Sequence, residues 1–347
     1  MPHTVNTAII GYGKSAKHFH VPLLKSLPDF KVTTVLQRSK DDALNDIEDV
    51  NIVRNLKDLL KDDSIDLVLI TTPNHLHFEQ AFDSLNADKH VVVEKPFTLT
   101  TEESEKLIRI AREKEKVLTV FQNRRWDGDY LTLKKIIEEG QLGTILEFQS
   151  SYNRFRRLKK GEVWKESAMD GSGILYDLAP HLIDQSLQLF GLPEYIFADI
   201  RHQRNGKADD WFTIDMFYSS LKVTLKAGML VSDPTPRFIL RGDDGAYVKY
   251  GMDVQEEQLA SGMNPHQKGW GEEPASDHGI LYKNVDGAIQ EYPIKTLKGN
   301  YAKFYMGLQE AIVNKQDPPV DPESAKNVIK IIEIAIESNS SQKLLRV

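Results

Sequence analysis

The chain has 347 residues, 40% of them hydrophobic and 27% charged, with a formal net charge of -7 and no cysteine. That length accommodates two domains with sizeable cores, and the acidic balance argues against a nucleic-acid partner. Lack of cysteine excludes disulfides, thiol nucleophiles and thiolate metal sites. No apolar run approaches the ~20 residues a bilayer span requires, and the opening MPHTVNTAIIGYG lacks a signal peptide's layout. The cytoplasm is therefore the expected compartment.

From the N-terminus, short β-rich runs alternate with longer amphipathic ones up to about residue 123. Residues 6–10, 31–36, 66–70, 90–93 and 117–121 are expected strands, apolar enough for parallel strands covered on both faces. Residues 76–85 and 102–116 carry helical periodicity, with Thr100 or Thr101 as N-cap of the second. Such alternation implies an α/β fold with a doubly wound parallel sheet, here a Rossmann-type domain over 1–123.

The first strand runs into Gly11-Tyr12-Gly13-Lys14-Ser15-Ala16, a G-x-G-x-x-A motif. Gly11 permits a tight turn, Gly13 lets backbone approach a pyrophosphate, and the small Ala16 lets helix and strand pack closely. The position at the head of the alternating pattern gives the motif its weight, and a dinucleotide is the expected cofactor. An acid at the end of the second strand would accept from a ribose 2′-hydroxyl and select NAD. This strand instead ends Leu36-Gln37-Arg38-Ser39-Lys40 and has no acid before Asp41. Arg38 and Ser39 suit a 2′-phosphate, so NADP is expected and NAD is second choice; the alternative is that Arg38 and Lys40 are ordinary solvated charges. Thr72-Pro73-Asn74-His75-Leu76-His77 and Glu94-Lys95-Pro96 also fall at the carboxyl ends of expected strands, where open α/β sheets place ligands.

Beyond residue 125 a helix over 129–139 and a turn over 140–143 lead into an extended segment, 145–152. Expected strands then follow at 195–201, 212–218, 223–228, 238–241 and 246–249, without intervening helices, and helices over 301–314 and 323–338 close the chain. Successive strands of this kind imply a second α+β domain, 124–347, with a mostly antiparallel, open-faced sheet. One sheet face left to a second subunit would make a homo-oligomer, a dimer or tetramer. Residues 251–277 read as a long irregular loop, more an ordinary surface excursion than a functional element. The basic run Arg154–Lys160 is a solvated edge or part of a substrate pocket, with Asn153, Arg154 and Arg156 as candidate substrate contacts.

Within LYDLAPHLID, Asp177, His181 and Asp184 fall at helical spacings of four and three, on one face. They are either a helix's wet side or a site that moves a proton or holds a metal. Pro180 fits a helix beginning near Asp177, with Asp177 as its N-cap; otherwise the helix must distort there.

Together GYGKSA, TTPNHLH, the E-K-P at Glu94–Pro96, the run Asn123-Arg124-Arg125-Trp126-Asp127 and the D-x-x-x-H at Asp177–His181 resemble the Gfo/Idh/MocA oxidoreductases, the glucose-fructose oxidoreductase and inositol dehydrogenase family. The resemblance covers essentially the whole chain. VFQNRRWD, GSGILYDLAPHLIDQ and GAYVKYG are closer still to the branch containing NADP-dependent scyllo-inositol dehydrogenases. It implies an NAD(P)-dependent dehydrogenase acting on a secondary alcohol of a cyclic polyol or sugar. In that family's terms Lys95 polarises the reacting oxygen, His181 transfers the proton and Asp177 is its acidic neighbour. Thr72, Pro73, Asn74, His77 and Glu94 line the cofactor, Gln122 lies near the nicotinamide, and Arg124 and Asp184 line the polyol site. No metal, membrane or nucleic acid is expected. Two rivals stand beside this reading: a non-catalytic NADP-binding sensor on the same fold, and a metal-dependent hydrolase built on Asp177, His181 and Asp184.

Overall fold

The computed structural model describes residues 4–158 and 166–347. The chain forms two compact units. The first takes Met1–Trp126, Gln255–Trp270 and Asn300–Ile329; the second takes Asp127–Val254, Gly271–Gly299 and Lys330–Val347.

In the first unit the strands are β1 (Val5–Ile10), β2 (Phe30–Leu36), β3 (Asn51–Val53), β4 (Leu67–Ile70), β5 (His90–Val93) and β6 (Leu118–Val120). They form one sheet of order β3-β2-β1-β4-β5-β6, every pair parallel. That is the doubly wound arrangement expected from the alternation, with its crevice at the carboxyl ends of the strands. β4 is fully buried along its length, as are the three valines of β5, in keeping with helices on both faces. The connecting helices are α1 (Val21–Lys25), α2 (Ala43–Asp46), α3 (Leu56–Leu60), α4 (His77–Asn86) and α5 (Thr101–Glu113). Thr100 caps α5 in a full capping box with Glu103, as the sequence anticipates. The third strand has no expected counterpart: three exposed or half-exposed edge residues carry too short a pattern to read.

The second unit opens with α6 (Gly128–Glu138) and β7 (Ile145–Asn153), followed by α7 (Gly173–Phe190). After them come β8 (Tyr195–Arg201), β9 (Trp211–Phe217), β10 (Lys222–Gly228), β11 (Phe238–Gly242), β12 (Gly245–Lys249), β13 (Gly279–Val285), β14 (Ala288–Ile294) and β15 (Leu345–Arg346). These strands form a nine-stranded sheet of order β14-β13-β12-β11-β7-β10-β9-β8-β15. Only β7 and β10 pair in parallel. Strand alternation aims Phe148, Ser150 and Tyr152 of β7 and Val223, Leu225 and Ala227 of β10 at the buried face, against which α7 packs. Of three further helices, α8 (Gln255–Ala260) and α9 (Ala302–Asn314) belong to the first unit, and α10 (Pro322–Ser341) has its first residues in the first unit and its last in the second.

Two expectations are corrected, and one element is unanticipated. Residues 251–277 are largely exposed but not wholly irregular: they contain α8, and Gln255 and Trp270 are fully buried in the first unit. Immediately afterwards comes an unanticipated hairpin, β13–β14, turning on Asp286 and Gly287 with φ of 52° and 82°. Asp-Gly between apolar-containing runs is the signal for such a turn, and it was legible in NVDGAI. Finally, α7 begins at Gly173 after Ser172, so Asp177 lies inside the helix and Pro180 in its interior. Pro180 has no N–H to offer the Tyr176 carbonyl. The helix start is set elsewhere: Asp209, in the β8–β9 connection, accepts from Leu175 N–H at 2.7 Å through its carboxylate and from Ile174 N–H at 3.2 Å through its carbonyl. Gly173 has φ +84°, and a Cβ there would stand 1.9 Å from Asp209 Oδ1, so only glycine allows this cap.

Candidate active site

In the first unit the glycine motif lies where β1 ends. Gly11 has φ +85°, and a Cβ there would meet the Thr72 methyl at 3.0 Å, so the turn and the β4 loop are packed as closely as glycine permits. The Thr71 hydroxyl donates to the Gly11 carbonyl at 2.7 Å, and the Thr72 hydroxyl to Gln80 Oε1 at 2.6 Å. A Cβ on exposed Gly13 would have nothing within 4 Å, which leaves room for a phosphate to approach the backbone, while Ala16 is fully buried against the core. Lys14 is exposed and Ser15 donates to Glu94 Oε1.

Glu94 follows β5 and is held from several sides. His20 Nε2 lies 2.8 Å from its Oε1, His20 Nδ1 lies 2.5 Å from the Tyr305 hydroxyl, and the Lys95 N–H donates to Glu94 Oε2 at 2.9 Å. Burial alone raises the Glu94 pKa. The hydrogen bond and charge of His20, then the charge of Lys95 and the Ser15 hydroxyl, outweigh burial and bring it to about 2. Neither His20 nor Tyr305 is visible as a partner in the sequence, because 74 residues separate His20 from Glu94 and 285 separate Tyr305 from His20.

His77 is fully buried at the start of α4, with Nδ1 2.8 Å from the Pro96 carbonyl and Nε2 3.0 Å from the Thr72 carbonyl. It therefore ties the loop after β4 to the loop after β5. Burial lowers its pKa, although bonds to two carbonyls favour the doubly protonated ring. Asn74 is buried and Pro73 half-buried in the same loop. Gln122, two residues past β6, is 2% exposed, and its Oε1 has no hydrogen-bond partner among the described residues. An orphaned buried acceptor beside the strand ends, with the open backbone at Gly13, fits a dinucleotide. Arg124 is buried and donates to Glu256 of α8 at 2.8 Å.

At the end of β2, Arg38, Ser39 and Lys40 are exposed. The acids that follow are each engaged: Asp41 accepts from Arg54 at 2.6 Å, Asp42 from Lys17 at 3.1 Å, and Asp46 from the Tyr12 hydroxyl at 2.9 Å. Burial and Asp46 push the Tyr12 hydroxyl's pKa well up, so it remains a donor.

In the second unit Asp177, His181, Asp184 and Gln185 occupy one face of α7, at spacings of four, seven and eight. His181 and Asp184 are buried and Asp177 is half-buried. The His181 ring meets Tyr152 edge-on, with centroids 6.3 Å apart. Below it, Arg237 donates to Gln185 Oε1 at 2.6 Å, the Tyr152 hydroxyl at 2.9 Å and the Ser150 hydroxyl at 2.5 Å. No sequence pattern marks Tyr152, Gln185 or Arg237 as part of the site. A tyrosine one residue before Asn153 on an alternating strand is the nearest signal.

The same alternation sends Asn153 to the face of β7 opposite Tyr152, and its amide atoms are buried without a partner among the described residues. Arg154 is half-buried, and its carbonyl accepts from Val231 N–H at 3.1 Å. Arg156 is exposed, and its carbonyl accepts from Arg204 at 3.2 Å. Lys159 and Lys160 lie outside the described residues. Among the described residues no three His, Asp or Glu side chains are grouped so as to hold a metal ion, and no helix is long and apolar enough to cross a membrane.

Known proteins match this chain over nearly all its length. Residues 5–122 match the family model of the oxidoreductase NAD-binding Rossmann fold, and residues 134–347 that of the oxidoreductase C-terminal alpha/beta domain. The chain is 38% identical over 343 residues to the scyllo-inositol 2-dehydrogenase (NADP(+)) IolW of Bacillus subtilis, covering 99% of this chain and 96% of that one. It is also 38% identical over 339 residues to the uncharacterized oxidoreductase YdgJ of Escherichia coli, covering 97% of each. Among solved structures, yvaA of Bacillus subtilis superposes with a TM-score of 0.96 at 36% identity, over 100% of this chain and 99% of that one. A parallel 3-2-1-4-5-6 sheet with its glycine turn, a second domain with a mostly antiparallel sheet, and matches along the whole chain lead to one conclusion: the protein is an oxidoreductase of the Gfo/Idh/MocA family.

Proposed function

We propose that the protein is an NADP-preferring dehydrogenase that interconverts a secondary alcohol and ketone on a cyclic polyol or sugar, with an inositol of the scyllo type as the leading substrate. The observation that carries the cofactor half is at the end of β2. Arg38 and Ser39 are exposed there while Asp41, Asp42 and Asp46 are each engaged by a neighbouring donor, an environment suited to a 2′-phosphate. The Bacillus subtilis relative, named for scyllo-inositol and NADP(+), supports the substrate half.

When bound, the nicotinamide supplies hydride transfer, so the chain's own task is to orient the substrate and manage the hydroxyl proton. In our reading Lys95 stabilises negative charge developing on the reacting oxygen. His181 takes the proton in oxidation and returns it in reduction, since an imidazole titrates near neutral pH. Asp177, one turn away on α7, orients that imidazole or binds a neighbouring hydroxyl. Asp184, Arg124, Asn153, Arg154 and Arg156 are assigned to substrate hydroxyls. Gly11 to Ala16, Arg38, Ser39, Thr72, Pro73, Asn74, Glu94 and Gln122 are assigned to the cofactor, with His77 fixing the loops that present them. We further infer that residues 1–123 serve the cofactor and 124–347 the substrate, apart from the segments 255–270 and 300–329 that join the first unit, and that the chain forms a dimer or tetramer through the sheet face not covered by α7.

A panel of inositols, aldoses and ketoses, assayed with NADP and with NAD while following absorbance of the reduced cofactor, tests the proposal. Turnover of a cyclic polyol or sugar, faster with NADP, is the expected result. Tight NADP binding with no turnover of any substrate would point instead to a sensor.

A further inference from the structure

The loop assigned to the 2′-phosphate has a support that comes from another strand. Arg54 directly follows β3, and β3 pairs in parallel with β2 through Leu36 and Val53. Its Nη1 donates to the Gln37 carbonyl at 3.0 Å and the Lys40 carbonyl at 2.8 Å; its Nη2 donates to Asp41 Oδ1 at 2.6 Å. The two carbonyls bracket Arg38 and Ser39. Further bonds fix the frame: Gln37 N–H donates to the Val53 carbonyl at 3.1 Å, and Gln37 Oε1 accepts from Ala43 N–H at 3.0 Å. A planar guanidinium can serve two carbonyls and a carboxylate at once, whereas an ammonium is a single point of charge.

Asp41 matters because it is the first acid after β2. Near the ribose, an acid accepts from a 2′-hydroxyl and repels a 2′-phosphate. Arg54 and Asp41 are both about half exposed, 48% and 54% by side chain, so their pairing adds little to folding stability. Its consequence lies in loop shape and local charge. We propose that Arg54 is a positioning residue for cofactor choice: it holds residues 37–41 so that Arg38 and Ser39 face the 2′-phosphate, and it offsets the charge of Asp41. This inference rests on the proposed preference for NADP.

The test is direct binding of NADPH and NADH to the full-length protein, followed by the fluorescence of the reduced cofactor. Four forms are compared: wild type, Arg54→Met, Asp41→Asn and the double variant, each with a thermal unfolding midpoint to verify folding. Arg54→Met should cut the NADPH-over-NADH affinity ratio about tenfold, chiefly by weakening NADPH. Adding Asp41→Asn should restore about threefold or more of that loss, while Asp41→Asn alone should change the ratio less than about twofold, because Arg54 already offsets the charge. A ratio unchanged in Arg54→Met overturns the inference, as does failure of Asp41→Asn to restore it. A wild type that binds NADH more tightly than NADPH overturns the NADP preference itself, a distinct result.

Discussion

Arg237 donates to the side-chain oxygen of Gln185 at 2.6 Å, one helical turn beyond His181 on the same face of α7. Its guanidinium lies 4.0 Å from the Tyr152 ring and 3.9 Å from that of Phe238, and Asp129 Oδ2 stands 3.8 Å from its Nε. Arg237 and Asp129 are at most 1% exposed by side chain. The arginine thus joins β7 to the helix that carries His181. Removing one member of a buried charge pair leaves the other uncompensated, so Arg237→Met should cost about 3–5 kcal/mol in urea unfolding. Arg237→Met/Asp129→Asn should recover part of that loss; a double variant no more stable than the single one would show that Asp129 is not the stranded partner.

Lys95→Ala and His181→Ala should each lower kcat by about 10²–10⁴-fold or more, with NADPH affinity nearly unchanged. Steady-state rates and cofactor titration check both halves. Wild-type turnover in either variant would remove that residue from the mechanism.

Arg38→Asp places a carboxylate where a 2′-phosphate is expected and a 2′-hydroxyl would be welcome. The ratio of NADP to NAD activity should fall by about tenfold or more. A ratio that stays put would mean Arg38 is only a solvated charge.

Glu94 has a folded pKa of about 2 against an ordinary 4.5. A depressed carboxyl contributes stability that is fully present above the unfolded value and is lost as pH falls through the folded one. The shift corresponds to about 3 kcal/mol near neutral pH, lost progressively between about pH 4.5 and 2. Glu94→Gln should therefore flatten the acid limb of the stability curve in that window, measured by denaturant unfolding at several pH values. Parallel curves for the two proteins would place the acid sensitivity elsewhere.

Much of this was legible in the chain itself, and for local reasons. The apolar runs of β1, β2, β4 and β5, the glycine turn at Gly11 and Gly13, and the Thr100 cap each depend on neighbours within a few residues. The three polar residues of α7 share a face because helical spacing requires it. The start of α7 was not legible, since it depends on Asp209, which lies 34 residues from the amide it caps. Nor were His20 and Tyr305 around Glu94, Arg54 beneath the β2 loop, or Arg237 behind His181. Sequence alone determined the doubly wound cofactor fold and the residue types available for chemistry. Tertiary structure decided which charges are cancelled, which acceptors are left open and what holds each group in place. Those matters are contacts between distant segments, and no local pattern encodes them.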